Sequence, residues 1–313
     1  MILHDRESVY GRARPALHFR DMTDIDRVNI GRRGFLALAA TLPLAFAGNP
    51  AAAAPVSRLW ERWLPHEPEA RYRIDHQAWD AFLKRFLVVV PGGVNRFDYG
   101  AVTPADRARL DRYLGDLGQV LISQYNRDEQ FAFWLNLYNA LVVRVVLEHY
   151  PVASIREIDI GGSIFGAGPW SAKLIEVEEE SLSLDDIEHR ILRPIWKDPR
   201  LHYVINCAAL GCPQLPARAM TGRNCEEMLE QAAQAFINHP RGVTPLRGGL
   251  PRGLLVSKIY DWYLSDFGGY EGALIEHLLR YAEPALAREI EITPYVSEYA
   301  YDWALNDSNP VSG

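Results

Sequence analysis

One stretch, residues 126–150, constrains the fold most, because it is long, helical in pattern and apolar on nearly every side. Asn126, followed three residues later by Glu129, resembles a capping box that opens a helix, and Pro151 stops that helix. One face carries Phe131, Trp134, Leu135, Tyr138, Val142 and Val145, and the opposite side carries Ala132, Ala140, Val143 and Leu147. A helix that is apolar all round is buried in a protein interior. The sequence therefore predicts a central helix around which the rest of the chain packs.

Shorter patterns on both sides of this helix predict the other elements. Helical spacing and capping residues predict helices over 75–90, 103–117, 183–193, 224–238 and 257–264, with further helical segments to about residue 289. Alternation and turn residues predict strands over 173–177, 201–207 and 295–301 and a hairpin over 243–256. Helices dominate and βαβ alternation is absent. The predicted fold is therefore α+β: a mostly helical single domain with a small, mainly antiparallel sheet.

Composition excludes several classes of protein and partner. The 313 residues are 48% hydrophobic and 23% charged, which is typical of a globular protein and not of a collagen-like or disordered chain. A net charge of −7 without a Lys/Arg-rich run argues against nucleic acid or an anionic membrane surface as the main partner. Three cysteines are too few for a disulfide scaffold or a four-cysteine zinc site.

An export signal is predicted near the N-terminus. Arg32-Arg33, followed by Gly34-Phe35-Leu36, resembles the twin-arginine signal of bacteria. The uncharged run over 35–47 and the small-residue tract over 48–54 complete a signal peptide, with cleavage expected after Ala53 or, alternatively, after Ala47. The apolar run is shorter than the ~20 residues that a membrane span needs, so no stable membrane anchor is expected.

These features predict the domain organisation and the compartment. Residues 1–53 are an N-terminal extension and signal peptide, and residues 54–313 are a single mature domain. The chain starts at Met1 or at Met22, and a start at Met22 would give a more usual signal length. The expected partners during export are the twin-arginine translocon and signal peptidase, and the expected location is the periplasm or the medium.

Several motifs in order resemble a known family. They are Phe133-Trp134-Leu135-Asn136-Leu137-Tyr138-Asn139, Ser183-Leu184-Asp185-Asp186-Ile187-Glu188-His189, Asp198-Pro199-Arg200-Leu201-His202-Tyr203, Asn206-Cys207-Ala208 with Cys212-Pro213, Ser257-Lys258-Ile259-Tyr260 with Asp266-Phe267, and Tyr301-Asp302-Trp303-Ala304-Leu305-Asn306. This string resembles the domain-of-unknown-function family 547 and covers roughly residues 98–306. The resemblance implies one fold unit, found in bacterial exported proteins and in plants. It implies no particular reaction and leaves the cofactor open.

Cys207 and Cys212 are the candidate nucleophiles. With His202 or His189 as the base, one of them would form a Cys–His site. Two structural interpretations compete and are the more usual ones for such residues. Buried cysteines act as small hydrophobic residues, or this pair forms a disulfide in an oxidising compartment and leaves Cys225 over.

The two histidines differ in their surroundings. His189 follows Asp185 and Asp186 by four and three residues, so both carboxylates can face it on a helix. That pattern suits an oriented general base, and it suits a solvated helix face equally well. His202 lies on the predicted interior strand. Glu188, His189 and His202 could bind a metal only if the fold brought them together, and no metal site is predicted.

Three further residues are candidates for binding substrate. Asn136 and Asn139, one turn apart on the central helix, could hold a substrate carbonyl or stabilise an oxyanion. The interpretation we prefer is that they tie the helix to neighbouring loop backbone. Lys258 could bind an anion or be exposed with Asp261 as its partner.

The sequence leaves two main functions open, with a metal-dependent hydrolase as a third alternative. The first is an exported hydrolase or acyl transferase with a Cys–His site and a small-molecule or peptide substrate. The second is a non-catalytic periplasmic binding or scaffolding module in which the same residues form a buried polar network.

Overall fold

The computed structural model describes residues 54–160, 168–248 and 252–310. These described residues form one compact unit. Its helices and strands, in chain order, are α1 (Gln77–Phe86), β1 (Leu87–Val88), β2 (Arg96–Phe97), α2 (Pro104–Gly118), α3 (Arg127–His149), β3 (Ile175–Val177), β4 (Glu180–Leu182), a π-helix (Asp186–Leu192), α4 (Arg193–Trp196), α5 (Cys225–Ile237), β5 (Val243–Leu246), β6 (Gly253–Ser257), α6 (Ile259–Trp262), α7 (Glu271–Tyr281), α8 (Pro284–Ile292) and β7 (Val296–Ala300). The predicted signal segment and most of the glycine-rich loop over 161–169 lie outside the described residues.

Helix α3 is the predicted central helix, and its residues are buried on every side. It is long and apolar enough to cross a membrane, but 94% of its most apolar window is buried inside the protein, as in the core helix of a globular fold. The Asn126 side chain caps it by accepting from the Glu129 N–H at 3.0 Å. The reciprocal half of the capping box is absent, because the Glu129 carboxylate accepts from the Ile74 N–H instead.

Within the described residues the strands form three small sheets. β1 pairs with β2 and β3 with β4, both antiparallel. β5 and β6 form the predicted hairpin, and β7 adds to β6 in parallel. The predicted α+β fold is confirmed, and its strands form several small, mainly antiparallel sheets where a single small sheet was predicted.

The predicted strand over 201–207 is wrong. Residues Pro199–Tyr203 form a 3₁₀ helix, which the Asp198 side chain caps by accepting from the Arg200 N–H at 2.9 Å. Burial on both sides, which suggested an inner strand, is correct, but the segment lies between two hydrophobic clusters rather than in a sheet. Leu201 belongs to the cluster around α3 and Tyr203 to the cluster around β6 and α7. His202 therefore lies where the two clusters meet.

The helix that begins after Ser183 does not end before Pro194. It is a π-helix that continues into α4, and the Arg193 N–H donates to the Glu188 carbonyl, five residues back. Pro194 falls in the first turn of α4, where a missing N–H is tolerated. π-Helical turns of this kind occur often at functional sites.

One predicted cap and one predicted helix length differ from the structure. The Asn224 side chain accepts from the Thr221 N–H at 2.7 Å and does not cap α5. The helix predicted from Ser257 through Leu264 is shorter, because α6 covers only Ile259–Trp262.

Candidate functional site

A cluster of charged and aromatic side chains lies where the 3₁₀ helix, the π-helix and the segment after α6 meet. Its centre is the Asp266 carboxylate, which accepts from Arg193 Nε at 2.6 Å and Arg193 Nη2 at 3.0 Å. His202 Nε2 lies 2.8 Å from the same carboxylate. Burial alone would raise the pKa of Asp266, but the hydrogen bonds from His202 and Arg193 outweigh it and hold that pKa well below its usual range. Asp266 is therefore an anion at neutral pH.

These contacts decide the tautomer of His202. An ionised carboxylate only accepts, so His202 Nε2 carries the proton and Nδ1 presents its lone pair in the neutral ring. Nδ1 is buried without a hydrogen-bond partner in the described part of the chain. The ring stacks on Tyr263 with centroids 4.0 Å apart, which fixes its plane. An aspartate that orients a histidine in this way produces a proton acceptor with a defined direction.

Glu188 faces His202 from the π-helix. Its Oε1 lies 4.0 Å from His202 Nδ1, and its Oε2 accepts from the Tyr138 hydroxyl at 3.0 Å. Oε1, like Nδ1, is buried without a hydrogen-bond partner among the described residues. Burial would raise the pKa of Glu188, but the neighbouring His189 and His202 rings and the hydrogen bonds from the Tyr263 and Tyr138 hydroxyls together lower it below the usual value. An anionic oxygen and an imidazole nitrogen thus point toward each other across a gap too long for a direct hydrogen bond.

His189 is held in a different state. Arg193 Nη1 lies 3.1 Å from its Nδ1, and because a guanidinium only donates, Nδ1 is the acceptor and Nε2 carries the proton. Nε2 lies 3.6 Å from the Asp185 carboxylate. Burial lowers the pKa of His189, so the ring is neutral. Burial and the charge of Glu188 raise the pKa of Asp185 to about 6.

The candidate nucleophiles are joined to each other. Cys207 and Cys212 form a disulfide, and both sulfurs lie 3.0 Å from the Tyr301 hydroxyl. Neither sulfur contacts a histidine by a hydrogen bond within the described residues. A thiolate nucleophile therefore requires reduction of the disulfide, and its role stays a prediction. Ala208, directly after Cys207, has φ +59, a left-handed conformation held by its N–H bond to the Asn206 side chain.

The two asparagines on α3 bind backbone. Asn136 donates to the Met220 carbonyl at 2.7 Å and accepts from the Met220 N–H at 3.0 Å. Asn139 donates to the Val204 carbonyl and accepts from the Asn206 N–H, both at 2.8 Å. These contacts tie the central helix to the loops that carry His202 and the cysteines. Substrate binding by these amides stays a prediction, and the contacts support the positioning role.

Lys258 lies apart from the cluster. Its ammonium pairs with Asp261 at 3.1 Å, the partner suggested by the sequence, and lies 5.7 Å from the centre of the Tyr299 ring. Within the described ranges it has no ion pair or hydrogen bond to the cluster. Anion binding by Lys258 stays a prediction.

The structure does bring Glu188, His189 and His202 together. The Glu188 Oε1 lies 3.9 Å from His189 Nδ1 and 4.0 Å from His202 Nδ1. Over residues 54–160, 168–248 and 252–310, however, no group of three His, Cys, Asp or Glu side chains has the geometry of a metal site. The Arg193 guanidinium donates to His189 Nδ1, so that lone pair is not free to bind a metal.

Sequence reasoning missed Arg193 and the role of Asp266. The two are 73 residues apart, and no spacing rule connects them. One signal for Asp266 was present in the sequence, because Asp266 belongs to one of the motifs that carry the family resemblance. Glu188 was considered only as a metal ligand, and no pattern showed that it would face His202.

The comparisons with known proteins agree with part of the resemblance. Residues 122–237 match the family described as "Protein of unknown function, DUF547". This stretch is about a third of the chain and contains α3, the π-helix, His202 and both bridged cysteines. Asp266 and Tyr301 lie outside the match but contact residues inside it, at His202 and at the two cysteines. No curated protein and no solved structure matches the chain.

Proposed function

We propose that the chain is an exported hydrolase or acyl transferase in which His202 transfers the proton. The observation that carries the proposal is the spatial arrangement of the Asp266, His202 and Glu188 side chains. Asp266 holds Nε2 at 2.8 Å, and the unpartnered Nδ1 lies 4.0 Å from the unpartnered Oε1 of Glu188. His76 Nε2 is also buried without a hydrogen-bond partner among the described residues, so an unpartnered nitrogen alone does not distinguish His202; what distinguishes it is that a carboxylate faces each of its two nitrogens. Here one nitrogen and one carboxylate oxygen are held ready for a third group.

The geometry fits a hydroxyl or water between the two atoms. Both atoms are acceptors and lie 4.0 Å apart, so a water about 2.8 Å from each can donate one hydrogen to Nδ1 and the other to Oε1, and a hydroxyl can donate its single hydrogen to Nδ1. When this oxygen attacks an acyl carbon, its proton passes to His202 Nδ1 as the new C–O bond forms. The same proton then passes to the leaving group as the old bond breaks. Asp266 and Glu188 stabilise the imidazolium in between.

The thiol version of this chemistry needs the reduced protein. A Cys207 or Cys212 thiol would supply the nucleophile, and the acyl group would pass through a thioester before water releases it. In the oxidised protein the pair contacts Tyr301 instead, whose ring centroid lies 4.8 Å from that of Trp262 and 4.7 Å from that of Trp303.

A non-catalytic module is favoured by a different observation. The side chains of His202 and Arg193 are only 1% and 2% exposed, which suits a network that holds the fold together. In that case a substitution of either residue would lower stability, and any loss of measured turnover would be explained by the fraction of protein that no longer folds. A variant pair with matched burial separates the two functions.

We expect His202→Asn to lower kcat/KM by about 10²- to 10⁴-fold toward activated acyl esters, thioesters or anilides, the usual contribution of a general base. The matched control is His277→Asn. His277 is also buried and hydrogen-bonded, to Tyr203 at 2.9 Å, but it lies outside the Asp266 cluster. We expect the control to lose comparable thermal stability and retain activity. Equal activity losses in the two variants, or no turnover by the wild type on the whole panel, would support the module instead.

Export and the state of the cysteines can be tested by one measurement of intact mass. We expect the periplasmic product to lack residues 1–53. Without reductant, the native protein should take up no alkylating group, because Cys207 and Cys212 are bridged and Cys225 is buried with its pKa raised to about 12. Denaturation should expose one thiol, and reduction three. An uncut chain would contradict export, and rapid alkylation of Cys207 or Cys212 in the native protein would favour the thiol nucleophile.

A further inference from the structure

Residues 55–60, which we call the strap, lie against the π-helix beside the His202 cluster. The Pro55 carbonyl accepts from Arg193 Nη1 at 2.8 Å. The Arg58 N–H donates to the His189 carbonyl at 2.9 Å, and the Trp60 N–H donates to the Arg190 carbonyl at 3.0 Å. All three bonds use the main chain of the strap. The residues that bind the strap include Arg193 and His189, two members of the candidate site.

The helix offers these carbonyls because of Pro194. The His189 carbonyl would normally accept from residue 193 in an α-helix or from residue 194 in a π-helix. The Arg193 N–H donates to Glu188 instead, and Pro194 has no N–H. Pro194 is also the fourth residue after Arg190. The helix therefore leaves the His189 and Arg190 carbonyls free to accept from the N–H groups of Arg58 and Trp60, which are alternate residues of the strap and face the same side of an extended chain.

The side chains of the strap contribute little to its binding. Val56 is 86% exposed and Leu59 40% exposed, so most of the strap is held by its backbone. Trp60 is the exception, because the Arg190 guanidinium lies 4.1 Å from its ring centre. Such a surface recognises an extended main chain with one aromatic anchor, and it places few demands on the remaining sequence.

We propose that this face of the π-helix is a binding site for extended polypeptide, occupied here by the chain's own strap, and that a peptide segment of another protein can replace the strap. Peptide binding is independent of catalysis. The corollary that the His202 centre acts on a peptidyl acyl group rests on the proposed function. Arg193 Nη1 would then donate to a peptide carbonyl as well as to His189, while its Nε and Nη2 orient Asp266.

The test is carried out on the full chain with the strap weakened. The double variant Arg58→Pro/Trp60→Pro removes both N–H donors, and Arg58→Pro alone is the milder version. The matched control is Leu59→Pro, because Leu59 donates no backbone hydrogen bond within the described residues. The probe is a fluorescein-labelled peptide with the sequence of residues 54–62. Its partner probe carries N-methyl groups at the positions of Arg58 and Trp60, so that it lacks the two donors.

We expect saturable binding of the labelled peptide to the double variant, measured by fluorescence anisotropy, at least about tenfold tighter than to the wild type or to Leu59→Pro, whose tethered strap competes. The N-methylated peptide should bind about tenfold more weakly, since it lacks two hydrogen bonds. Equal binding of the two peptides would overturn the proposal, as would equal binding to the double variant and to Leu59→Pro. If the double variant does not fold, the same comparison with Arg58→Pro decides.

A second arm separates the peptide site from the proposed function. Adding His202→Asn to the double variant should leave peptide affinity within about twofold, because binding uses main-chain carbonyls and Arg193 rather than His202. Retained binding without any His202-dependent turnover would refute the enzyme and leave the peptide site standing. If the variant binds the unmethylated and the N-methylated peptide equally well while His202-dependent turnover is intact, the peptide site is refuted and the enzyme stands.

Discussion

Replacing Arg193 by alanine is expected to lower the free energy of unfolding by about 3–5 kcal/mol, the usual cost of removing one partner of a buried ion pair. The Arg193 side chain is 2% exposed and bonds to the Asp266 carboxylate through two nitrogens, at 2.6 and 3.0 Å. It also holds the Pro55 carbonyl and His189 Nδ1. Its removal leaves a partly buried anion and two acceptors without their donor. Urea denaturation followed by circular dichroism measures the loss.

The matched control for this prediction is Arg190→Ala. Arg190 lies on the same helix and also pairs with an aspartate, Asp186, at 2.9 Å, but its side chain is 40% exposed. Exposed pairs contribute about 0–1 kcal/mol. Arg193→Lys should recover only part of the loss, because an ammonium cannot bind the carboxylate through two nitrogens in the plane of a guanidinium. If Arg193→Ala and Arg190→Ala cost the same, the Arg193–Asp266 pair does not stabilise the fold in the way described.

The second large effect is a loss of stability in mild acid. Burial lowers the pKa of both His76 and His277 from 6.5 to about 4. Below pH 6.5 the unfolded chain binds a proton at each histidine that the folded chain does not bind. Stability is therefore highest above pH 6.5 and falls as the pH drops toward 4. The expected loss is about 3 kcal/mol for each histidine across this window.

Two carboxyl groups change the shape of this curve. The pKa of Asp185 is raised to about 6, so its contribution is present in acid and is lost as the pH rises from 3.8 through 6. It therefore opposes the histidines in part. The pKa of Asp186 is lowered to about 2 despite burial, by hydrogen bonds from Lys173 and Ser183, so its contribution is lost only below pH 3.8. The net expectation between pH 7 and 4 is a fall, because His76 and His277, together with His189, whose pKa burial also lowers, outweigh one carboxyl.

The measurement is the free energy of unfolding at pH 7, 5.5 and 4 for the wild type and for His76→Gln/His277→Gln. Glutamine keeps a hydrogen-bonding group beside Tyr113 and Tyr203, the present partners of the two rings, but does not titrate. We expect the double variant to lose much less stability between pH 7 and 4. His66→Gln, at an exposed position, should follow the wild type. An unchanged pH dependence in the double variant would contradict the assignment to these two rings.

Local patterns predicted the elements that depend on neighbours along the chain. The cap at Thr103 forms with Asp106 as its reciprocal partner, and the hairpin pairs Val243 with Val256. The interior position of His202 was also evident from the apolar residues around it. These features follow from hydrogen bonds and side-chain periodicities within a few residues, which a single sequence displays directly.

The arrangement of the candidate site could not be predicted in this way. The strand expected around His202 is a 3₁₀ helix, because Asp198 caps it and both sides are covered by core clusters rather than by strands. Pairing of Cys207 with Cys212 was one of three interpretations left open. The ionic contacts of Asp266 depend on which distant segments are packed together, and that choice is made by the whole core.

The sequence by itself determined that a buried helix organises the fold, that the fold is α+β, and that His189, His202 and the two neighbouring cysteines deserve testing. Those conclusions depend on apolar periodicity and on short-range chemistry. Only the tertiary structure decided that Asp266 orients His202, that Glu188 faces its open nitrogen, and that the strap covers the π-helix. Each of these contacts joins segments many residues apart, so its energy comes from the packing that closes the chain and leaves no mark in local sequence.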